Sequence, residues 1–452
     1  MPTTSIFEES TALQPIAEGK TKKIFKKAGD PARVYLVSKN DITARDGAQH
    51  DVMVGKAVFA NQTACNNFRL LRSCGIPVAF EEQVSPNAFE APACKMLPYE
   101  VVVRREAYGS YLKRAPHLEK GHIFPSLVLE FFLKTSGKVW KGHALPCDDP
   151  LMRVNPDGTI SLFDPKTPDL AQTPAKPFLT FKDEELLKDI PLMDEMGKAA
   201  KKTFLVLEKA WQLQGRRLVD FKIEFGLDST DKLLLADVID NDSWRVVNGA
   251  GNHMDKQTYR EGADLEAVAA KYREVAEITN NFTLPNQAII LWRGSEKDDL
   301  TPFRNALSEF GFRPNAKPLA WGLGLLDTAF TVIEGTCSAH KQPAKAHRML
   351  QELSQTNPDS VIVAYIGLSN GAGPTLSANT TVPVITVPAT VDKFPEDVWS
   401  SLRTPSNVPV MTVLRPDNAM RAALGILSGR NPAIYAVLRG DLEQRLTGFD
   451  GR

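Results

Sequence analysis

Three charged side chains alternate with apolar ones in the segment VDFKIEFG at residues 219–226. In an extended strand successive side chains point to opposite faces, so the pattern places Asp220, Lys222 and Glu224 on one face and the apolar residues in the core. Two carboxylates and an amine on one face can bind a cation and phosphate groups. The alternative is a solvated charged face in which Lys222 balances its neighbours.

A second apolar run, at residues 233–236, ends at Asp237, and turn-forming residues separate it from the first run. A hairpin centred on residues 230 and 231 would place Glu224 directly opposite Asp237, about 5 Å away at Cβ. Two carboxylates at that distance repel each other unless a cation lies between them. Because Mg²⁺ is usually held by one or two carboxylates together with phosphate oxygens, the pattern favours a site for Mg²⁺ and ATP.

The segment EGKTK near the N-terminus carries further candidate phosphate ligands. Gly19, Lys20 and Lys22 lie at the entrance of a short predicted strand, where they can cover nucleotide phosphates. The segment does not match the GxxxxGK[ST] pattern of a P-loop. The alternative is an exposed basic turn.

Two arginines and a serine form another candidate phosphate site. Arg104 directly follows the predicted strand Glu100–Val103, Ser110 lies shortly after it, and Arg245 follows a polar run much later in the chain. A guanidinium group offers a rigid fork for phosphate, and serine adds a hydroxyl donor. Arginines are also common on protein surfaces, so only their convergence would define a site.

The C-terminal part has a candidate site of its own. His340 lies in a polar loop, and the Gly- and Asn-rich loop at residues 367–373 follows a buried apolar run. Backbone N–H groups of consecutive small residues can point at an anion, and a histidine can move a proton at neutral pH. The alternative is an exposed loop histidine.

The elements that position these residues differ between the two parts of the chain. In the first part, strands such as Val34–Val37 mix with amphipathic helices predicted at Asp194–Gln214 and Ala263–Thr279. A polar stretch with a proline follows Thr279 and predicts a domain boundary. The resulting prediction is a first domain at residues 1–281, a linker at 282–286 and a second domain at 287–452.

Beyond the linker, short continuous apolar runs alternate with loops and helix-like stretches; the runs are Ala288–Trp292, Val361–Ile366 and Pro383–Val387. Strands buried on both faces predict a parallel, doubly wound sheet, whose ligands bind at the carboxyl ends of the strands. The apolar, glycine-containing segment Arg313–Cys337 is predicted to hold a helix around Leu323–Phe330.

Composition narrows the class of protein. The 452 residues include 54 basic and 54 acidic side chains, and this balance argues against binding to nucleic-acid phosphates. Five cysteines without CxxC spacing favour reduced thiols, and the N-terminus lacks the pattern of a signal peptide. No apolar run approaches the ~20 residues of a membrane span. We therefore expect a cytoplasmic enzyme with small-molecule ligands.

Four segments of the first part resemble the SAICAR synthetases, which join aspartate to carboxyaminoimidazole ribotide; they are EGKTK (18–22), VVRREAYGSYLKR (102–114), LVDFKIEFG (218–226) and LADVIDNDSWR (235–245). The resemblance implies an α+β fold related to the ATP-grasp and kinase-like folds. It also implies that ATP phosphorylates the ribotide carboxylate, and that the aspartate amine then displaces phosphate.

The same resemblance implies roles for individual residues. Gly19, Lys20 and Lys22 would line the ATP phosphates, with Mg²⁺ on Glu224 and Asp237. The remaining candidates would bind the ribotide or lie beside its reacting carboxylate; they are Arg104, Ser110, Arg245, Asp46, Asp220 and Lys222. The loop around Asp46 departs from the family pattern, because Arg45 replaces a glycine and Gln49 replaces an arginine.

Segments of the second part resemble the animal-type aminoimidazole ribotide (AIR) carboxylase domain; they are SAHK (338–341), SNGAGPTLSANT (369–380), PVITVP (383–388) and DVWSSLR (397–403). The resemblance implies a three-layer α/β fold of flavodoxin or Rossmann type. It implies a reaction without a cofactor, in which an imidazole carbon attacks CO₂ and His340 carries the ring proton.

Further roles follow from this second resemblance. The side facing the ribotide would be formed by Gly294, Ser295, Asp298, Ser338 and Lys341, and the side facing CO₂ and phosphate by Ser369, Asn370 and Gly371. The chain departs from the family pattern at four positions, where Glu296 replaces a threonine, Lys297 a serine, Leu368 an arginine and Val387 a cysteine.

The two implied activities are successive, because the carboxylase product is the synthetase substrate. Carboxylase domains of this family form ring-like cores, so the resemblance implies a homo-octamer. The alternative is an active synthetase whose C-terminal domain is mainly an oligomerisation scaffold with impaired carboxylase activity.

Overall fold

The computed structural model describes residues 14–44, 49–312, 315–319, 322–326 and 329–449. These residues form two compact units. The first comprises the chain up to Thr283 together with the residues from Gly440 onward, and the second comprises Leu284–Arg439. The division after Thr283 lies inside the predicted linker, and the units are not simply consecutive parts of the chain.

In chain order the first unit contains β1 (Ala17–Glu18), β2 (Lys22–Lys27), β3 (Asp30–Ser38), β4 (Asp41–Ala44), β5 (Gln49–Val52), α1 (Lys56–Ser73), β6 (Glu82–Ser85), β7 (Ala88–Pro92), β8 (Lys95–Met96), β9 (Tyr99–Glu106), α2 (Ser110–Arg114), β10 (Ile123–Leu133), β11 (Val139–Trp140), β12 (His143–Ala144), β13 (Leu151–Val154), β14 (Ile160–Phe163), β15 (Leu179–Phe181), α3 (Glu184–Lys188), α4 (Ile190–Leu213), β16 (Arg217–Leu227), β17 (Leu233–Ala236), β18 (Trp244–Val247), α5 (Gln257–Arg260) and α6 (Leu265–Thr279).

Two antiparallel sheets form the body of this unit. The smaller has the strand order β1-β2-β3-β7-β6, and the larger has the order β15-β14-β13-β10-β9-β16-β17 with β8 and β18 also paired to β16. Helix α1 packs on β3 and β7, and α4 packs on β9, β10 and β16. Antiparallel sheets with helices against them confirm the predicted α+β class.

Strand β16 and helix α4 supply the core beneath the candidate site. The predicted helical spacing of Ala200, Phe204, Leu207 and Trp211 is confirmed, since all four side chains are fully buried. The ring of Phe204 lies 5.3 Å from that of Phe221, which is on the apolar face of β16. Burial of this face therefore leaves the charged face of β16 available for chemistry.

The second unit contains β19 (Ala288–Arg293), α7 (Thr301–Glu309), β20 (Asn315–Leu319), β21 (Gly322–Leu326), β22 (Thr331–Thr336), α8 (Pro343–Thr356), β23 (Ser360–Ile366), α9 (Ala372–Ser377), β24 (Val384–Pro388), a 3₁₀ helix (Pro395–Val398), α10 (Trp399–Leu402), β25 (Met411–Thr412), α11 (Pro416–Leu427) and α12 (Pro432–Phe449), of which the residues from Gly440 onward belong to the first unit.

Its sheet confirms the predicted parallel, doubly wound class. Strands β22-β19-β23-β24-β25 are parallel, an order equivalent to 2-1-3-4-5 of flavodoxin-like folds. Side chains of α8 and α9 share a hydrophobic cluster with one face of β19 and β23. Helix α11 packs on β23 and β24 and against α7. The central strands are therefore buried on both faces, which is why they read as continuous apolar runs.

The helix predicted around Leu323–Phe330 is wrong. Strands β20 and β21 form an antiparallel hairpin there, and β21 pairs with β22 at the edge of the sheet. A short apolar run does not distinguish a strand from a helix by periodicity alone. The two glycines of β21 disfavour a helix, and the edge of β22 supplies hydrogen-bond partners for a strand.

All five cysteines are free thiols. Burial raises the pKa of Cys65 and of Cys74 to about 12, and that of Cys94 to about 11, so these thiols stay protonated at neutral pH. Within the described ranges, no helix has both the length and the apolar character that crossing a membrane requires.

Candidate active sites

A cavity of about 890 Å³ opens over the charged face of β16. Its charged lining residues include six lysines, two arginines and five acids; they are Lys20, Lys22, Lys113, Lys134, Lys222, Lys256, Arg245, Arg260, Glu100, Asp149, Glu224, Asp237 and Asp242. The excess of positive charge suits anionic ligands. This is where the predicted lysines and carboxylates of the first unit meet.

The predicted register of the β16–β17 hairpin is wrong by one residue. Glu224 lies opposite Ala236, and Asp237 follows the end of β17 with a positive φ of 64°. The Asp228 carboxylate accepts hydrogen bonds from the backbone N–H groups of Thr230 and Lys232, which makes a five-residue turn centred on Thr230. The carboxylates of Glu224 and Asp237 nevertheless line the same cavity.

Ammonium groups contact both of these carboxylates. Lys22 Nζ forms an ion pair with Asp237, and Lys134 Nζ donates to Glu224 Oε2 at 2.7 Å. Burial lowers the pKa of Lys22 to about 8, although the carboxylates of Glu224 and Asp240 act in the opposite direction. Each of the two acids therefore has its own cationic partner, as expected from their mutual repulsion.

Lys222 is the central cation of the cavity floor. Its ammonium donates to Glu100 Oε1 at 2.6 Å. Burial by itself lowers the pKa of Lys222, but the carboxylates of Glu100 and Glu224 more than offset this, and the pKa is raised. Lys222 therefore stays protonated and serves as a fixed positive charge at neutral pH.

Asp220 and Arg104 lie beneath the cavity. The antiparallel registers place Asp220 opposite Arg104 of β9 on one side and Arg245 of β18 on the other. Asp220 Oδ2 accepts from a guanidinium N–H of each arginine at 2.6 Å, and Arg104 Nε donates to Glu130 at 2.8 Å. Asp220 and Arg104 are each only 4% exposed, and Asp220 holds Arg245 from below. The resemblance instead implies that Arg104 binds the ribotide phosphate and that Asp220 lies beside the reacting carboxylate.

Arg245 and Ser110 do line the cavity. Gly109, between β9 and α2, allows Arg245 to lie there, because its φ of 57° and ψ of −129° belong to a region that residues with a Cβ rarely adopt. A Cβ atom at this position would also come within 2.9 Å of Arg245 Cζ. The candidate phosphate site therefore depends on this glycine.

A buried charge cluster beside Arg245 is a feature that the sequence analysis missed. Asp242 accepts from the Tyr272 hydroxyl at 2.5 Å and pairs with Lys56 at 3.1 Å. Burial by itself raises the pKa of Asp242, but the ammonium groups of Lys56 and Lys256 outweigh it and lower that pKa. Burial and the Asp242 charge raise the pKa of Asp240. The segment DKQTYR at residues 255–260 was the available signal, because its Lys256 pairs with Asp242 at 3.6 Å.

A second cavity, of about 480 Å³, adjoins the first and shares four of its lining residues, which are Lys22, Lys134, Glu224 and Asp237. Its other walls are mainly apolar, with Ile24, Val34 and Leu36 among them. Gly19 lines this cavity, whereas Lys20 lines the larger one. An apolar slot that ends at acids and lysines suits a flat base attached to phosphates.

The prediction at Asp46 lies outside the described residues, as do Arg45 and Gly47. For Gln49 only the backbone is described, as the first residue of β5.

The second unit brings two loops together at the carboxyl ends of β19 and β23. Asp298 Oδ2 accepts from the Ser295 backbone N–H at 2.9 Å. Its two carboxylate oxygens each lie 3.6 Å from the position that a Cβ atom would occupy at Gly294 or at Gly367. Asp298 therefore lies between the loops, at the switch point of the sheet, where ligands of such folds bind.

His340 approaches the loop that follows β23. Its Nε2 atom lies 3.7 Å, and the Ser369 hydroxyl 3.5 Å, from the position of a Cβ atom at Gly371. In the predicted loop at residues 338–341, the Ser338 hydroxyl accepts from the Lys341 backbone N–H at 3.2 Å. The structure therefore groups His340, Ser369 and Gly371 around one small space.

Asn370 differs from its neighbours. It is fully buried, and its amide is hydrogen-bonded to Thr386 and Ser401. The sequence predicts a substrate ligand here, but the side chain points into the protein.

Of the departures from the family pattern, Leu368 is 61% exposed and Val387 is a buried residue of β24.

Comparisons with known proteins assign both units. The SAICAR synthetase family matches residues 15–139 and 177–279, and the AIR carboxylase family matches residues 327–445. The bifunctional phosphoribosylaminoimidazole carboxylase/phosphoribosylaminoimidazole succinocarboxamide synthetases of rat and human are each 34% identical to this chain. The alignment with the rat protein covers 93% of this chain and 92% of that protein. The alignment with the human protein covers 94% of this chain and 92% of that protein. A SAICAR synthetase structure in complex with ADP is 25% identical, covers 60% of this chain and 99% of its own, and has a TM-score of 0.47.

The two units thus define a two-domain enzyme of purine biosynthesis, a ligase fused to a lyase. The chain belongs to the family of bifunctional AIR carboxylase/SAICAR synthetases.

Replacing Gly109 should disturb the synthetase site specifically. In Gly109→Ala the methyl group displaces the Arg245 guanidinium, so the KM of the synthetase for its ribotide should rise about 10-fold or more, equivalent to about 1.4 kcal/mol of binding. Steady-state kinetics at saturating MgATP and aspartate measure this. Gly249→Ala is the matched control, since that glycine has open space around it. An unchanged ribotide KM in Gly109→Ala would contradict the role of Arg245.

Proposed function

We propose that the first unit binds ATP in the 480 Å³ cavity and carboxyaminoimidazole ribotide with aspartate in the adjoining 890 Å³ cavity. The carrying observation is that the two cavities meet at Glu224 and Asp237, between an apolar slot and a lysine-rich wall. The apolar walls of the slot suit the flat adenine base. A phosphate chain that starts in the slot would reach the larger cavity beside Lys22 and Lys134, whose ammonium groups suit its negative charge.

Glu224 and Asp237 fit a magnesium ion. Both offer hard carboxylate oxygens at the junction of the cavities, and Mg²⁺ prefers one or two such ligands together with phosphate oxygens. When bound, the ion would neutralise charge that develops on the transferring phosphoryl group. Lys22 and Lys134, which contact these acids, would then be available to the phosphates.

Residues in the wall of the larger cavity would bind the other two anionic groups, which are the ribotide phosphate and the reacting carboxylate. Arg245, held by Asp220 and given room by Gly109, would bind the ribotide phosphate with the Ser110 hydroxyl. Lys222 stays charged and would hold the reacting carboxylate in line with the terminal phosphate of ATP. We propose that Arg104 and Asp220 act beneath the site by orienting Arg245.

Removing either metal-binding charge should stop the ligation and spare the carboxylation. We expect Glu224→Gln and Asp237→Asn each to lower the synthetase kcat by about 100-fold or more, because a neutral amide holds Mg²⁺ weakly. Aspartate-dependent ADP release, with the product identified by its mass, is the measurement. The exposed Glu195→Gln is the control, and carboxylase turnover of the same samples reports that the second unit is intact. Full ligase activity in either variant would rule out this metal site.

In the second unit, we propose that AIR carries out the nucleophilic attack itself. A C–C bond forms between the electron-rich imidazole carbon and CO₂, and the proton on that carbon moves to His340 Nε2, which faces the space at Gly371. Ser369 and Gly371 would line the CO₂ side. Gly294, Ser295 and Asp298, with Ser338 and Lys341, would face the ribotide. The geometry around His340 favours this reading over a C-terminal domain that is only a scaffold.

Replacing His340 tests this assignment. We expect His340→Ala to lower carboxylation of AIR, and decarboxylation of its product, by about 100-fold or more because the ring proton then lacks its acceptor. Synthetase turnover of the same chain should stay intact. His347→Ala, at an exposed position of α8, is the matched control. Loss of both activities would indicate misfolding, and full carboxylation in His340→Ala would overturn the proton-transfer role.

Successive chemistry explains why one chain carries both domains. We propose functional domains at residues 1–281 and 287–452 with a linker at 282–286, supported by a synthetase match that ends at residue 279 and by the division of the compact units after Thr283.

We propose the cytoplasm, a reducing compartment, because five cysteines without CxxC spacing favour reduced thiols. Fractionation of cells that produce the tagged chain would test this location.

We also propose assembly into a homo-octamer through the second unit. Several large apolar side chains of this unit are about half exposed; they are Phe394, Trp399, Leu402 and Leu414. A contiguous patch of exposed apolar side chains marks an association surface, and three of these four residues lie close together in the chain, within residues 394–402. Light scattering should give a mass eight times 49.8 kDa. The double variant Trp399→Ser with Leu402→Ser should give a smaller mass, and Ile123→Ser in the first unit should not. A monomeric wild-type chain would contradict the proposal.

A further inference from the structure

The environment of Asn370 links the carboxylase loop to two other segments of the second unit. Its backbone N–H donates to Asp397 Oδ1 at 3.0 Å, and its side-chain N–H donates to the Ser401 hydroxyl. Its side-chain oxygen accepts from Thr386 Oγ1 at 2.9 Å. Each polar group of the Asn370 side chain thus has a protein partner.

These partners are themselves fixed. Thr386 is fully buried in β24, and Asp397 and Ser401 are 8% and 3% exposed. Thr386 is also packed against the loop, because a Cβ atom at Gly373 would come within 2.8 Å of its Cβ. The Ser400 hydroxyl donates to the Asp397 backbone carbonyl at 2.6 Å. Buried groups of β24 and of the segment 397–401 therefore hold the loop from two sides.

A direct contact between Asn370 and substrate would come at a cost. A ligand could reach its amide only by replacing Thr386 or Ser401, which would leave a buried hydroxyl without a partner. The residues on either side are placed differently. Ser369 and Gly371 face His340, so the clamp on Asn370 determines where these two neighbours lie.

We propose that Asp397, Ser401 and Thr386 are positioning residues for the carboxylase, which hold Asn370 and thereby fix Ser369 and Gly371 against His340 on the side where CO₂ is captured. This inference rests on the proposed role of His340. It gives a physical role to the segment 397–403, DVWSSLR, which otherwise serves only to identify the family. Asn370 becomes the central residue of the clamp and not a substrate ligand.

The test uses the full-length chain and separates the KM for CO₂ from that for AIR. Asp397→Ala removes the acceptor of the Asn370 N–H, and Thr386→Val removes the donor to its side chain at nearly constant volume. We expect each variant to raise the KM for CO₂ by about five-fold or more, because the loop no longer holds Ser369 and Gly371 in place. The KM for AIR should stay within about two-fold.

Two control variants separate loss of the hydrogen bond from other effects of substitution in this segment. Asp397→Asn keeps an acceptor oxygen and should restore the wild-type KM for CO₂, and Glu396→Ala, at the exposed neighbouring position, should have no effect. A purely structural defect would reduce the number of active molecules, which lowers kcat and leaves both KM values unchanged. That outcome, in Asp397→Ala and Thr386→Val together, would overturn the inference. Full carboxylation in His340→Ala would instead overturn the proposed function.

Discussion

The ion pairs of Asp220 are the constraint on which the first active site depends. Its carboxylate accepts from Arg104 and Arg245 on the two neighbouring strands, and Arg104 is paired again with Glu130. Breaking a buried pair by removing one partner leaves an uncompensated charge, which costs about 3–5 kcal/mol. The network therefore joins four strands and holds one guanidinium at the cavity wall. The larger cavity and the lysines around it lie above this layer.

Above that layer, repulsion between like charges organises the chemistry. Glu224 and Asp237 line the junction of the two cavities, and Lys134 and Lys22 contact them. In the proposed function these acids, which are paired with lysines in the free protein, would hold a metal ion when nucleotide phosphates are bound. The lysines would then be exchanged for the metal ion as partners of the acids. The excess of cations in the cavity favours the several anionic groups that the ligation must bring together.

The second unit differs from the first, because its reaction requires a neutral molecule, CO₂, to be placed beside a carbon of the imidazole ring. The flavodoxin-like strand order brings the loops after β19 and β23 to one edge, where Asp298 and His340 approach them. Small residues leave the space open, and the buried clamp on Asn370 keeps its walls in place. Precision here comes from packing and hydrogen bonds, whereas in the first unit it comes mainly from charge.

The sequence by itself determined the fold class of both units and the residue types of both sites. Alternating charges identified β16, helical spacing identified α4, and continuous apolar runs identified the parallel strands, because each signal depends only on neighbouring positions. Segment resemblances then identified the two families. These resemblances were recognisable because the candidate site residues lie in short contiguous segments.

Only the tertiary structure decided how these groups meet. The hairpin register shifted by one residue because the Asp228 carboxylate makes a five-residue turn, and Arg104 and Asp220 became internal supports because strands distant in the chain placed them opposite each other. The predicted helix around Leu323–Phe330 became a strand because the edge of β22 was available for pairing. Asn370 turned inward because Thr386 and Ser401 receive it. Each of these outcomes depends on contacts between residues far apart in sequence, which local patterns do not encode.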